Sequence, residues 1–138
     1  MELHIGGISD LDILTTMNQQ LIEDEHSNNT MSIEELRDRM KYFLETEYRA
    51  YLFYEKAVLV GYALVHMKKQ PYFLRQFFIC RDQRRKGYGK TAIYAILKQL
   101  DVENIDIEVL SENKKGIAFW QSCGFTEYSR YMKLKWSI

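Results

Sequence analysis

Apolar positions along this chain change their period several times, and each change marks an element. Residues 3–8 read as a short first strand. Leu11, Leu14, Met17, Leu21 and Ile22 then recur at helical spacing and predict a helix over residues 10–23, with Ser9 and Asp12 spaced as a capping box. A second box, Ser32 with Glu35, opens a helix that carries Ile33, Leu36, Met40, Phe43 and Leu44 on one face. From Tyr48 the period drops to that of strands. Residues 50–54 and 58–67 are aromatic and β-branched around the short break Glu55-Lys56, which predicts a hairpin. Its second arm is almost continuously apolar from Val58 to Val65, as a strand covered on both faces would be.

Pro71 ends the next loop, residues 73–80 form another strand, and Ile93, Ile96, Leu97 and Leu100 mark a third helix. Ile105, Ile107 and Val109 alternate with Asp106 and Glu108 as a further strand. Asn113 starts a helix through Ile117, Phe119 and Trp120, with Gly124 placed as a left-handed cap, and residues 125–128 and 131–136 supply the last strand material. The expected fold is α/β with a mixed sheet, in the order β-α-α-β-β-β-α-β-α-β, with room for one more strand.

Composition narrows the classes. With 138 residues the chain has the size of one domain and can bury a core. One proline, seven glycines and no low-complexity tract give no sign of a linker, so residues 1–138 read as a single domain. Lys plus Arg equals Asp plus Glu at 19 each, so no global charge draws the chain to nucleic acid or to a membrane surface. No apolar run approaches the roughly 20 residues of a membrane span. Cys80 and Cys123 have neither metal-ligand spacing nor the density of a disulfide framework. These features point to a soluble cytoplasmic protein without a metal.

The informative chemistry is local. Arg81, Arg84, Arg85 and Lys86 precede Gly87 and Gly89, and the third helix follows at once. The first turn of a helix has N–H groups without intrahelical partners and about half a unit of positive charge from the macrodipole. Glycine lets an anion approach those groups closely, so the stretch is suited to a phosphate or diphosphate. It is not a P-loop: Gly89-Lys90-Thr91 lacks the earlier glycine, because Arg84 stands there. Gly87-Tyr88-Gly89-Lys90-Thr91-Ala92 spells the dinucleotide pattern G-x-G-x-x-A, but six polar residues separate it from the strand, and the remaining chain is too short for the βαβ units that fold needs.

A third pattern, Q/R-x-x-G-x-G/A, is met by Arg84, Gly87 and Gly89. Downstream, Asn113-Lys114-Lys115-Gly116-Ile117-Ala118-Phe119-Trp120-Gln121-Ser122-Cys123-Gly124-Phe125 is similar to N-x-x-x-x-A-F-Y-x-x-x-G-F. In that order and separation the two segments resemble motifs A and B of the GCN5-related N-acetyltransferase (GNAT) superfamily, and the resemblance covers essentially the whole chain. It implies acetyl-CoA as co-substrate, with the diphosphate held by Arg84, Arg85, Lys86, Gly87, Tyr88, Gly89 and Lys90. It also implies that the pantetheine arm lies along Phe77, Phe78 and Ile79, where an N–H would face the thioester oxygen, and that Asn113 bonds the arm. The implied reaction is direct acetyl transfer to a primary amine of a small molecule or peptide. A non-catalytic acyl-CoA-binding module with the same fold is the alternative, and a homodimer is left open.

One position departs from the pattern. Trp120 stands where the family's tyrosine serves as acid, and an indole N–H does not protonate a thiolate. Tyr128 and Tyr131 lie beyond it, and Tyr128 is the candidate acid. A primary amine near pKa 10 must lose a proton before it attacks. Glu25, within Glu23-Asp24-Glu25-His26 at the end of the first helix, is the candidate base, and this acidic stretch would attract a cationic acceptor. Gln76 is neutral and would only orient substrate or water. Cys80 has no histidine near it in sequence to activate it as a nucleophile.

Overall fold

The computed structural model describes residues 1–137, which fall into two compact units, Met1–Glu108 and a second unit from Val109 onward. The first contains β1 (Glu2–Gly6), α1 (Leu11–Asp24), α2 (Ile33–Glu45), β2 (Tyr48–Glu55), β3 (Val58–His66), β4 (Phe73–Ile79) and α3 (Tyr88–Leu100). Its strands form one antiparallel sheet in the order β1-β2-β3-β4. The second unit contains α4 (Lys114–Ser122).

Local sequence accounts for most helix ends. At α2 the box closes in both directions: Ser32 Oγ accepts from the Glu35 amide at 3.2 Å and Glu35 accepts from the Ser32 amide at 2.9 Å. At α1 the Ser9–Asp12 box does not form. A short 3-10 turn at Ile8–Asp10 takes its place, and the Gly7 amide donates to the Asp10 carboxylate at 2.9 Å. The chain therefore enters α1 through a turn whose leading amide is capped by the Asp10 carboxylate, a charge-assisted bond. Gly124 has φ +104°, as the end of α4 requires, and the Phe125 amide closes the cap on the Trp120 carbonyl at 3.0 Å.

The core lies between the sheet and the α1–α2 pair. Leu11, Leu14 and Met17 of α1 and Met40 and Phe43 of α2 cover Ala50, Leu52, Tyr62, Leu64 and Phe78. α3 turns Ala92, Ile93 and Ile96 inward. β3 is buried from Val60 to Val65, as its unbroken apolar run requires. Gly61 sits opposite Ile79, where a Cβ would drive into the Phe78 carbonyl. Gly61→Ala is therefore expected to destabilise the fold by about 1–3 kcal/mol, because backbone on both strands would have to move. Denaturant unfolding checks this.

Two expectations about strands need correction. The strand expected over 105–109 reduces to a single parallel bridge between Phe73 and Asp106, in which the Leu74 amide donates to Asp106 at 2.8 Å and the Asp106 amide to Tyr72 at 3.0 Å. Residues 125–137 form neither helix nor strand, and Tyr128, Tyr131, Leu134 and Trp136 are exposed. Alternation in a sequence assigns residues to faces. It does not supply the neighbouring strand whose backbone makes a ladder.

Candidate functional site

β4 delivers the chain to the basic loop, and its ladder decides which peptide groups face outward. The Cys80 amide donates to the Val60 carbonyl at 2.8 Å, so the pair 60/80 is hydrogen-bonded. Alternation along an antiparallel ladder then turns the peptide groups of Ile79 and Phe77 toward the other edge of β4. Ile79 uses its carbonyl there to accept from Arg84 Nε at 2.8 Å. Phe77 and Ile79 are half-buried, Phe78 is buried in the α1–α2 core, and the Phe77 ring lies 5.7 Å from that of Phe53.

After Ile79 the loop makes a 3-10 turn at Arg81–Gln83, closed by the Gln83 amide on the Cys80 carbonyl at 2.8 Å. Arg85 and Gly87 take left-handed φ values of +65° and +79°. The first is costly for a side chain with a Cβ and the second is natural only for glycine. Left-handed residues in a turn aim successive amides toward one side, the arrangement that receives anions. α3 begins immediately, and its first bond into the loop is from Thr91 to the Gly87 carbonyl. The amides of Gly87, Tyr88, Gly89 and Lys90 have no protein acceptor among the described residues. The mouth predicted to hold a diphosphate is thus formed by backbone donors at the positive end of a thirteen-residue helix.

The cations around it are not equivalent. Arg84 Nη2 donates to Asp24 at 2.6 Å and its guanidinium covers the Phe78 ring at 5.2 Å. Arg81 donates to Asp24 at 2.8 Å and to Glu23 at 3.2 Å. Both arginines therefore tie the loop to the end of α1. Burial alone would lift the Asp24 carboxyl, but hydrogen bonds and charge from Arg81 and Arg84 outweigh it and hold the carboxyl below its ordinary value. Arg85 is exposed, Lys86 reaches only Gln83 at 3.2 Å, and Lys90 is exposed on the first turn of α3. Asp24 was not distinguished from its acidic neighbours in sequence, because partners 57 and 60 residues away leave no local signal.

That clamp separates Glu25 from the rest of the acidic stretch. Glu23 and Asp24 are neutralised by arginine, while Glu25 makes no ion pair among the described residues. Burial of its carboxyl, with the Asp24 charge adding, raises Glu25 above the ordinary carboxylate value, although the residue as a whole keeps solvent access. Glu25 also acts electrostatically on the phenol of Tyr62, which is fully buried and which burial keeps protonated far above neutral pH. The Tyr62 hydroxyl donates to Gln76 Oε1 at 2.8 Å. Asn18, Tyr62 and Gln76 thus make a buried polar cluster between the helices and the strand that leads to the loop.

The remaining candidates stand elsewhere. Asn113 caps α4, its Oδ1 accepting from the Gly116 amide at 3.0 Å, and a Cβ at Gly116 would collide with the Asn113 side chain. Tyr128 is fully exposed on a segment without helix or strand. The Cys80 thiol is raised by burial and by Asp82, so it is protonated at neutral pH and not a ready nucleophile. Among the described residues no group of three or more acidic, cysteine or histidine side chains is arranged to hold a metal, and no helix is long and apolar enough to cross a membrane.

Comparison with known proteins bears on the fold and the family. No curated protein matches the sequence. Among solved structures, a possible acetyltransferase from Clostridium difficile 630 superposes with a TM-score of 0.79 at 17% identity, covering 99% of this chain and 97% of that one. The aminoglycoside N-acetyltransferase AAC(6')-Iy in complex with CoA gives 0.75 at 15% identity, with 99% and 95% covered. A predicted acetyltransferase with acetyl-CoA from Clostridium acetobutylicum gives 0.70 at 11%, with 97% and 95% covered. The family model for GNAT acetyltransferases matches residues 15–125, from α1 through the loop and α3 to the end of α4, and so the chain belongs to the GNAT acetyltransferase family.

Proposed function

We propose that the chain transfers an acetyl group from acetyl-CoA to a primary amine by direct attack, with both units acting as one acetyltransferase domain. The reading is supported most by the loop mouth: four unpartnered amides at the start of α3, behind a left-handed glycine, at the end of an edge strand. Those amides, with Arg85, Lys86 and Lys90, receive the diphosphate, while Arg84 holds the loop in shape. The β4 segment Phe77, Phe78 and Ile79 lines the pantetheine arm, and an N–H in this segment polarises the thioester carbonyl.

On the acceptor side Glu25 takes the ammonium proton. The freed amine nitrogen bonds the thioester carbon, the carbon–sulfur bond breaks so that CoA leaves as its thiolate, and the second proton shed by the nitrogen passes to that sulfur to give the thiol. A thiol is a fair leaving group, with a pKa near 8.5, so no strong acid is required of the protein. Tyr128 is left as the group that would supply one, and Asn113 as a contact for the arm beyond its capping role.

Gly89→Ala separates binding from folding. Alanine is favoured over glycine inside a helix by about 0.8–1.0 kcal/mol, so thermal stability should hold or rise. The added methyl stands in the first turn that the diphosphate must approach, and acetyl-CoA affinity should fall about tenfold by calorimetry. Calorimetry showing no heat with acetyl-CoA at millimolar concentration for the natural chain would overturn the reading. Tight cofactor binding without acceptor-dependent thiol release would instead identify a binding module.

A further inference from the structure

On the acceptor side of β4 the structure carries charge of the sign opposite to that expected from the acidic end of α1. The β3–β4 register pairs Leu64 with Gln76 and Val65 with Leu74, so Arg75 is an extra residue on β4. Such a bulge re-aims a side chain, and here it places Arg75 beside Gln76 on the face covered by α2. The Arg75 guanidinium stands 4.9 Å from the Phe43 ring centre and 5.9 Å from that of Tyr48. Arg39 of α2 stands over the same Phe43 ring at 5.5 Å. Two guanidiniums therefore share one aromatic platform at the α2–β4 seam.

Neither has an acidic partner among the described residues. Arg39 Nη2 donates to Asn18 Oδ1 at 3.1 Å, and Asn18 is itself buried against Tyr62. Arg39 Nε is buried and has no hydrogen-bond partner. A buried donor left unsatisfied costs about 1–3 kcal/mol, more when charged, so negative charge at this seam is favoured. Several carboxylates of the same unit are engaged elsewhere: Glu47 bonds His66 at 3.3 Å, Glu35 closes the α2 cap, and Asp24 holds the loop arginines. Burial and the charge of Arg75 both disfavour the charged form of Arg39, a repulsion that an incoming anion would relieve.

That anion is not the diphosphate of CoA. Arg75 is four residues upstream of Ile79, about 13 Å along a strand, at the end away from the loop. Arg39 instead joins the buried cluster of Asn18, Tyr62 and Gln76 beside β4.

We propose that Arg39 and Arg75 bind a carboxylate carried by the acceptor, so that the substrate class is an amino acid or other amine bearing an acidic group. This rests on the acetyltransferase reading, and places the acceptor apart from polycationic amines. A carboxylate held by Arg75 would also offset the like charge of Arg39, and Arg–carboxylate pairs give orientation as well as affinity.

The test compares 4-aminobutyrate with butylamine, and L-amino acids with their amides, by thiol release from acetyl-CoA. Carboxylate-bearing members should exceed their partners in kcat/KM by about tenfold or more. Arg75→Gln should collapse that ratio through KM, Arg75→Lys should retain part of it, and acetyl-CoA affinity by calorimetry should survive in both. Independently of turnover, 4-aminobutyrate should shift the Arg39 Nε–H resonance in a nitrogen-edited NMR spectrum, and butylamine should not. Equal or reversed preference in the natural chain, a ratio untouched by Arg75→Gln, or an unmoved Arg39 resonance overturns the carboxylate site. Failure to bind acetyl-CoA overturns the reading beneath it.

Discussion

Glu25→Gln is expected to lower kcat about 100-fold or more, the usual range for loss of a general base. It should also remove the acid limb of the pH–rate profile. The sign follows from the environment. Burial and the Asp24 charge raise the Glu25 carboxyl, so the base ionises, and the rate climbs, at a pH above the ordinary carboxylate value of 4.5. A carboxyl raised in the folded state favours folding when protonated and loses that benefit as pH rises through its folded value. Neutral glutamine carries no such loss, so the variant should be at least as stable as the natural chain at neutral pH. A pH–rate profile alongside thermal unfolding checks both halves. An unchanged acid limb in Glu25→Gln would move the proton transfer to another group or to water.

A second large effect is expected at the clamp. Arg84→Glu places a carboxylate against Asp24, where the guanidinium now sits at 2.6 Å, and should weaken acetyl-CoA binding about 100-fold by calorimetry. Adding Asp24→Arg restores an opposite-charge pair and should recover most of the affinity, because Arg81 keeps its bond to Glu23 at 3.2 Å. Recovery is the outcome a positioning role requires. If Arg84 met the diphosphate directly, the double variant would stay weak. The Asp24 carboxyl is lowered by its two arginines, so the clamp is complete above the ordinary carboxylate range and is lost as pH falls through the lowered value. Loop binding should therefore fail before the rest of the fold on acidification. Both partners are partly exposed, which keeps the stability contribution small even though the effect on binding is large.

Features legible in advance were those whose causes lie within a few residues. The Ser32–Glu35 box, the glycine turn into α3, the Gly124 cap and the covered β3 all follow from neighbouring side chains and backbone preferences. The alternation at 105–109 and the strand material at 125–128 and 131–136 were equally visible, yet Asp106 makes one bridge and residues 125–137 make no strand. A strand exists only with a partner, and the partner is not adjacent in sequence. In place of the Ser9 box the chain makes a 3-10 turn at Ile8–Asp10, with Asp10 accepting from the Gly7 amide.

By itself, then, the chain's order of residues determined the glycine turn into α3, the helical faces and the family, because each is written in short spacings of glycine, charge and apolar side chains. Only the tertiary structure decided what the charges do. It gave Asp24 to Arg81 and Arg84, freed Glu25, and turned Arg75 through a bulge toward Arg39 and the Phe43 ring. Those pairings depend on Coulomb interactions between residues far apart in the chain, which acquire a distance, and so a magnitude, only when the fold brings them together.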